Sequence, residues 1–276
     1  MTGLDAPLGE IAVFALAIAA SGVVSGLMAG VFGIGGGAVL VPVFYQALGL
    51  LGVDEAVRMH LAVGTSLAII IPTSLRSFTS HRVRGVVDME LLRSFLAPVP
   101  VGVVLASLTA AYLTSEGLRA MFAVIALVVA LRLLFNRETW RIGTVIPGNP
   151  ARGVIGVAIG YFSTLMGIGG GVMNNTFMTL YGRPMHEAVA TSSGVGVLIA
   201  IPGTLGYIWA GWGTPGLPAG STGYVNWIAV ALIIPIALVV TPWGVRMAHA
   251  LGKRQLEIAF GLFCATVSAR FFWSLL

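Results

Sequence analysis

Charged residues are scarce in this sequence. They make up 9% of its 276 residues, against about 25% in a typical soluble protein, while hydrophobic residues make up 57%. A soluble surface cannot be built from so few charges, so the composition excludes a soluble globular protein and predicts a polytopic helical membrane protein. The formal net charge of +5 comes from basic residues that stand singly or in pairs between apolar runs. This pattern is typical of cytoplasmic loops, and we expect no nucleic-acid partner.

Groups that carry chemistry are also few. Cys264 is the single cysteine, so there is no disulfide framework. The four histidines are scattered without ligand spacing, and we expect no metal site. No acidic residue lies in the middle of an apolar segment, so no proton relay through a buried carboxylate is evident. A membrane-embedded enzyme would need an acid, base or metal cluster facing a cavity; we therefore expect no catalytic residues and no cofactor.

Glycine, in contrast, is abundant, and one glycine-rich run occurs twice. Gly33-Ile34-Gly35-Gly36-Gly37 recurs letter for letter at Gly167–Gly171. Each glycine costs a helix about 1 kcal/mol relative to alanine, so both runs predict unwound backbone. In a membrane such backbone is tolerated only where protein or water surrounds it, which indicates a site. Close helix packing through small residues is the alternative.

Ten apolar segments divide the chain into two sets of five. They lie at about residues 8–32, 37–51, 56–80, 89–113 and 117–135, and then at about 152–167, 170–181, 187–211, 224–248 and 254–275. We predict a first transmembrane repeat over residues 1–135, a cytoplasmic linker over 136–151 and a second repeat over 152–276. A full span needs about 20 apolar residues. The short segments after the glycine runs are therefore predicted to be half-helices, re-entrant elements or tilted elements.

The two sets resemble each other in sequence. Ala62–Ser66 is similar to Ala188–Ser192, and Gly85–Asp88 aligns with Gly223–Asn226. The latter match has the same offset, 138 positions, as three matches between the fifth and tenth segments. We therefore predict an internal repeat.

An odd number of crossings in each repeat would place the second repeat upside down. The loop at 80–88 carries two arginines, whereas its counterpart at 211–224 carries no charge. Equivalent loops of opposite charge character are what inverted-topology repeats require. The predicted fold is an all-α polytopic membrane protein of two inverted repeats, each of about five helical segments, some short or broken at the glycine runs.

The candidate binding residues bring polar groups into apolar segments. Bare backbone N–H groups and helix N-termini at the glycine runs suit an anion. Hydroxyls recur at matched places in both halves, where bonding to their own helix is the alternative. Asn174 and Asn175 would be costly without a partner, and the Arg76 guanidinium suits an oxyanion unless it extends to the membrane surface. The predicted substrate-binding residues are Gly35, Gly36, Gly37, Thr65, Ser66, Arg76, Gly169, Gly170, Gly171, Asn174, Asn175, Thr191 and Ser192.

These motifs together resemble the TauE/SafE sulfite exporter family, also called the toluene sulfonate uptake permease family. The residues that carry the resemblance are Gly33–Gly37, Pro42 and Ala62–Leu67 in the first half, and Gly167–Gly171, Ala190–Ser192 and Ile201–Tyr207 in the second. The resemblance covers nearly the whole chain. It implies a multi-pass transporter of the bacterial or archaeal inner membrane that moves sulfite, sulfonates or related organosulfur acids.

The sequence thus predicts a secondary transporter that works by alternating access on a small anionic substrate. A passive small-anion channel is the nearer alternative, and a membrane-embedded enzyme is the more distant one. The expected partners are the substrate, the lipid bilayer and a coupling proton or sodium ion. A homo-oligomer is left open by the sequence, as are the substrate's identity and the direction of transport.

Overall fold

The structure, a computed structural model, describes residues 16, 19–24, 26–27, 37–135, 142–250 and 253–275. It is 78% helical, which confirms the predicted all-α class. In chain order the helices are α1 (Gly37–Leu50), α2 (Glu55–Val83), α3 (Met89–Ser94), α4 (Pro98–Tyr112), α5 (Ser115–Leu134), α6 (Ala151–Leu165), α7 (Gly171–Leu180), α8 (Met185–Ala210), α9 (Trp227–Ala250) and α10 (Lys253–Trp273). Residues 16, 19–24 and 26–27 are helical as well.

Among the described residues, three helices are long and apolar enough to cross a membrane. These are α2 with 29 residues, α5 with 20 and α8 with 26. At 1.5 Å per residue, α2 is about 43 Å long. The helices α1, α4 and α6 and the first part of α9 are apolar but shorter.

The longest helices, α2 and α8, pack against each other at the centre of the bundle. Their facing sides are buried and contain the matched hydroxyl residues of the two halves. Pro72 lies inside α2 and Pro202 lies inside α8. Around this pair, α4 packs against α6, and α5 packs against α10.

Helices α6 and α7 form an element that enters and leaves at the same end of the molecule. Arg152, in the first turn of α6, lies 3.7 Å from a carboxylate oxygen of Glu90. Arg183, just after α7, lies 3.9 Å from a carboxylate oxygen of Asp88. Because Asp88 and Glu90 are two residues apart, the start of α6 and the end of α7 lie at one end. Of the predicted alternatives for the short segment at 170–181, the structure has the re-entrant one.

Two local features differ from the prediction. The segment at 89–113 is two helices, α3 and α4, because Pro98 at the start of α4 has no N–H to continue the hydrogen bonding of α3. The loop before α9 contains a small antiparallel hairpin of β1 (Ser221–Thr222) and β2 (Val225–Asn226). The side-chain amide of Asn226 also donates to Ala219 O at 3.0 Å and to Ser221 Oγ at 2.9 Å.

Candidate functional site

The second glycine run is unwound, as its composition predicts. Gly167, Gly169 and Gly170 have φ values of +64°, +48° and +80°, in the left-handed region that side chains disfavour. Space is restricted as well, since a Cβ at Gly170 would lie 2.7 Å from Ile199 Cδ1. Gly170 is the N-cap of α7, and Gly171 is its first residue. The first N–H groups of a helix have no partner within it, so the run presents backbone donors at the point where α6 turns into α7.

The two glycine runs meet in the interior. Gly35 and Gly36 lie outside the described residues, but Gly37 begins α1. A Cβ on Gly37 would lie 2.9 Å from Ile168 Cα and would overlap the carbonyl oxygen of Gly167. The end of the first run therefore contacts the start of the second with no room for a side chain.

Ser66 on α2 fixes the second run in place. Its hydroxyl donates to the carbonyl oxygen of Gly167 at 2.9 Å, and the serine side chain is fully buried. A buried carbonyl without a partner would cost about 1–3 kcal/mol. We infer that Ser66 stabilises the unwound backbone that follows α6.

The matched threonines Thr65 and Thr191 bind loops from opposite halves of the chain. Thr65 Oγ1 accepts a hydrogen bond from the backbone N–H of Asn226 at 3.0 Å. Thr191 Oγ1 accepts one from the backbone N–H of Asp88 at 2.9 Å. Both threonines are fully buried. Each therefore anchors the N-terminal end of a helix, α9 or α3, to the central pair α2 and α8.

The amide pair meets Ser192 in a buried polar cluster. Asn174 Nδ2 donates to Ser192 Oγ at 2.8 Å, and Ser192 Oγ donates to Asn175 Oδ1 at 2.6 Å. Asn174 Oδ1 is buried and has no hydrogen-bond partner. Since an unpaired buried acceptor is costly, this oxygen is a position where a donor or a cation would be stabilised.

A narrow cleft with a volume of about 40 Å³ lies beside this cluster, between α2, α8 and the second glycine run. Apolar residues supply part of its wall, but hydroxyls and glycine backbone supply the rest. The residues that line it are Ile70, Thr73, Ser74, Ser77, Ile168, Gly169, Gly171, Val189, Ser192 and Ser193. All of them are uncharged, so an anion in this cleft would be bound by neutral donors rather than by a counter-charge.

The chain matches one protein-family model over nearly its whole length. The model describes the sulfite exporter TauE/SafE, and the match covers residues 18–271. The chain belongs to the TauE/SafE family. This membership confirms the resemblance drawn from the glycine runs and the motifs that follow them.

Relatives of this TauE/SafE protein are described as probable membrane transporters. A "probable membrane transporter protein" of Haemophilus influenzae is 31% identical over 252 residues, which is 91% of this chain and 95% of that protein. Two others with this description, from Methanocaldococcus jannaschii and Bacillus subtilis, are 26% and 24% identical and cover 86% and 85% of the chain and 87% of their own lengths. No solved structure gives a significant match. The protein is a multi-pass membrane transporter of this family.

The cleft of this TauE/SafE protein includes only part of the predicted site. Gly169, Gly171 and Ser192 line it, while Gly170, Asn174 and Asn175 adjoin those residues and Gly37 and Ser66 contact the same glycine run. Thr65 and Thr191 are engaged with loops. Arg76 is exposed and is not part of the lining.

Four hydroxyl residues of the cleft were missing from the prediction, namely Thr73, Ser74, Ser77 and Ser193. Ser77 lies four residues after Thr73 and three residues after Ser74, so these positions lie near one another on α2, whereas Arg76 is exposed and outside the lining. This spacing is the feature of the sequence that could have identified these hydroxyl residues.

Proposed function

We propose that this protein is a secondary transporter that moves a small sulfur-containing anion across a bacterial or archaeal inner membrane by alternating access. The substrate would be sulfite, a sulfonate or a related organosulfur acid, in keeping with the family's description. One observation carries the proposal: a hydroxyl-lined cleft ends at unwound glycine backbone in the interior. Backbone N–H groups and hydroxyls are the donors that bind oxyanions in such settings.

The proposed architecture is a pair of inverted-topology repeats, residues 1–135 and 152–276, joined by a cytoplasmic linker at 136–151. Crossed hydrogen bonds support it. Thr65 binds Asn226 N–H and Thr191 binds Asp88 N–H, and in the repeat alignment the two threonines correspond, as do Asp88 and Asn226. The correspondence extends to capping, since Asp88 Oδ1 accepts from the N–H three residues on at 2.9 Å and Asn226 Oδ1 does the same at 2.9 Å. A twofold relation between the halves produces such reciprocal contacts.

Alternating access needs an element that can change its position around the substrate. The glycine runs contact each other at Gly37 and Gly167 with no intervening side chains. Pro72 and Pro202 interrupt the hydrogen bonding of the two central helices that border the cleft. We propose that the halves rock about this contact and expose the cleft to each side in turn, while the substrate stays chemically unchanged.

The membrane location and the coupling ion belong to the same proposal. The relatives come from bacteria and an archaeon, which supports an inner-membrane location. A coupling proton or sodium ion would be accommodated near the unpaired amide oxygen of Asn174. Arg76 would contribute only after a movement that turns it toward the substrate; a homo-oligomer is not required.

Ligand-induced stabilisation of the purified protein tests the proposed substrate class. A ligand that binds only the folded state adds about 2.7 kcal/mol at a concentration a hundredfold above its Kd. We expect sulfite or a sulfonate to raise the melting temperature in detergent more than acetate, phosphate and chloride do. Ser192→Ala should reduce the shift, whereas Ser94→Ala, whose hydroxyl bonds its own helix at Leu91 O, should leave it unchanged. Equal shifts for all anions, or a shift unaffected by Ser192→Ala, would contradict the proposal.

A further inference from the structure

A second and larger cavity lies at the other end of the molecule. Its volume is about 430 Å³, and it is bordered by the end of α1, the starts of α2 and α5, and the end of α10. The residues that line it are Tyr45, Gln46, Glu55, Arg58, Arg119, Arg270, Phe271, Trp273 and Ser274. Three guanidinium groups face one carboxylate, which leaves an excess of positive charge.

Arg119 is the buried member of this group. Its side chain is 2% exposed, its Nη1 donates to the Tyr45 hydroxyl at 2.8 Å, and it forms an ion pair with Glu55. Its Nε–H is buried and has no hydrogen-bond partner. Because leaving a buried charged donor unpaired is costly, an acceptor that reached the Arg119 guanidinium would be stabilised.

The other two arginines are fixed by neutral groups. Arg58 donates to the Val53 carbonyl through Nε at 3.1 Å and Nη2 at 2.7 Å, and Arg270 donates to Gln46 Oε1 at 3.0 Å. The Tyr45 ring is 5.3 Å from Arg58 Cζ and 5.8 Å from Arg119 Cζ, within cation–π range of both. Arg58 and Arg270 are thus held in position without an acidic partner among the described residues.

This position is unusual for arginine in a membrane protein. The arginine-rich loops predicted to be cytoplasmic lie at the opposite end, where Arg152 and Arg183 pair with Glu90 and Asp88. The positive-inside rule disfavours basic residues at the end where the cavity lies. Membrane topology therefore does not explain why three arginines share one cavity there.

The cavity is separate from the cleft. Arg58 and Thr73 both lie on α2, and their separation of 15 positions corresponds to about 22 Å of helix. We propose that the cavity is a second anion site, in which Arg58, Arg119 and Arg270 bind the oxyanion head of a sulfonate, carboxylate or phosphate group. The apolar part of an organic anion would pack against Phe271 and Trp273. The site captures anions at the end of the protein opposite to the cleft's hydroxyls, so it extends the proposed transport route but does not depend on it.

Tryptophan emission reports on this cavity because Trp273 lines it. Sodium sulfate and propanesulfonate would be titrated into the full-length protein in an uncharged detergent, with Trp273→Phe used to assign the signal. We expect Arg58→Gln and Arg270→Gln each to weaken binding about tenfold, the loss typical of one hydrogen bond to a charged group. Arg82→Gln removes the same charge at the far end of α2 and should leave binding unchanged.

If the cavity binds anions, Glu55→Gln should strengthen anion binding, whereas the arginine variants weaken it. Glu55 is the only carboxylate of the lining, and its side chain is half exposed. Its neutralisation should tighten anion binding severalfold, which a merely structural role for Glu55 would not produce. Unchanged affinity in both the arginine variants and Glu55→Gln, or a wild-type protein without any anion-dependent change in emission or melting temperature, would overturn the proposal.

Two further arms identify the source of the anion and separate this site from the cleft. In nanodiscs, competition by phosphatidylglycerol for sulfate, lost in Arg270→Gln, would assign the site to a lipid head group; no competition would assign it to a soluble anion. Loss of sulfate binding in the arginine variants of a protein that shows no transport would support the site and reject the transport proposal. Transport that Ser192→Ala abolishes would support the transport proposal. If anion binding by the same protein is unaffected by the arginine variants, the second site is rejected.

Discussion

Gly170 is fixed both by its backbone conformation and by the space around it. Its φ of +80° lies in the left-handed region, which costs a residue with a side chain about 1–2 kcal/mol. A Cβ there would also press against Ile199 and Val195 of α8. This single position therefore links the unwound run to one of the two central helices.

We expect Gly170→Ala to destabilise the protein by about 2 kcal/mol, the sum of backbone strain and local repacking. Unfolding in detergent, followed by circular dichroism, measures the change. The matched control is Gly153→Ala, because Gly153 lies in helix α6 and a Cβ there meets no atom within 4 Å. The control should be neutral or slightly stabilising. Equal stability of the two variants would show that the left-handed conformation is not required.

At the scale of single residues, the sequence predicted backbone conformation better than it predicted the roles of side chains. Four glycines in five residues leave few alternatives to unwound backbone, so the glycine run could be recognised without any contacts. The hydroxyls could not be assigned in the same way. Thr65 and Thr191 bind loop N–H groups that are 161 and 103 residues away, and Ser74 lines the cleft only because α8 packs beside it. The roles of these hydroxyls depend on which helices and loops pack against each other in the folded protein.

At the scale of elements, the starts of α3 and α9 are attached to the central helices by the same kind of hydrogen bond. The residue directly before each helix is Asp88 for α3 and Asn226 for α9. Its backbone N–H donates to a buried threonine of the other half. The side chain of the same residue accepts from the first turn of its own helix. Each cap therefore fixes a helix and attaches it to α2 or α8.

We expect Thr65→Val and Thr191→Val each to destabilise the protein by about 1–3 kcal/mol, because each leaves a backbone N–H without an acceptor, buried at Asn226 and partly buried at Asp88. The free energy of unfolding of both variants and of the double variant would be measured in detergent. Since the two contacts are far apart, their effects should add.

Thr266→Val is the control, because the exposed Thr266 hydroxyl bonds only the carbonyl of Leu262 in its own helix. It should change stability little. A large loss for one of the buried threonines and none for the other would argue against equivalent roles, and with them against the repeat.

The elements themselves were largely predictable, and their boundaries were less so. Most apolar segments became helices near the expected places because long apolar runs in lipid have few alternatives to helix. The break before Pro98 was missed although proline is a known local signal, because the apolar run continues on both sides of it. The hairpin at 221–226 was missed because strands of two residues leave almost no pattern in the sequence.

For the whole molecule, the matched sequences predicted an internal repeat and the loop charges predicted its inversion, but neither indicated how the halves meet. Besides the packing of α2 against α8, part of that contact is made by backbone, namely Gly37 against Gly167 and Ile168. The polar groups are divided between a neutral cleft on one side of this contact and an arginine-lined cavity at the far end. No residue pattern signalled the cavity, since Arg58, Arg119 and Arg270 come from three distant parts of the chain.

Counterflow in proteoliposomes is the most direct measurement of whether the protein is a carrier of sulfur-containing anions. Vesicles loaded with unlabelled sulfite, or with the sulfonate that gives the largest thermal shift, would be diluted into a trace of the labelled anion. A carrier should accumulate label transiently above its external concentration, with saturation, and Gly170→Leu should abolish this while Gly153→Ala retains it. Label that only equilibrates, at a rate proportional to concentration, would contradict alternating access and indicate a passive channel.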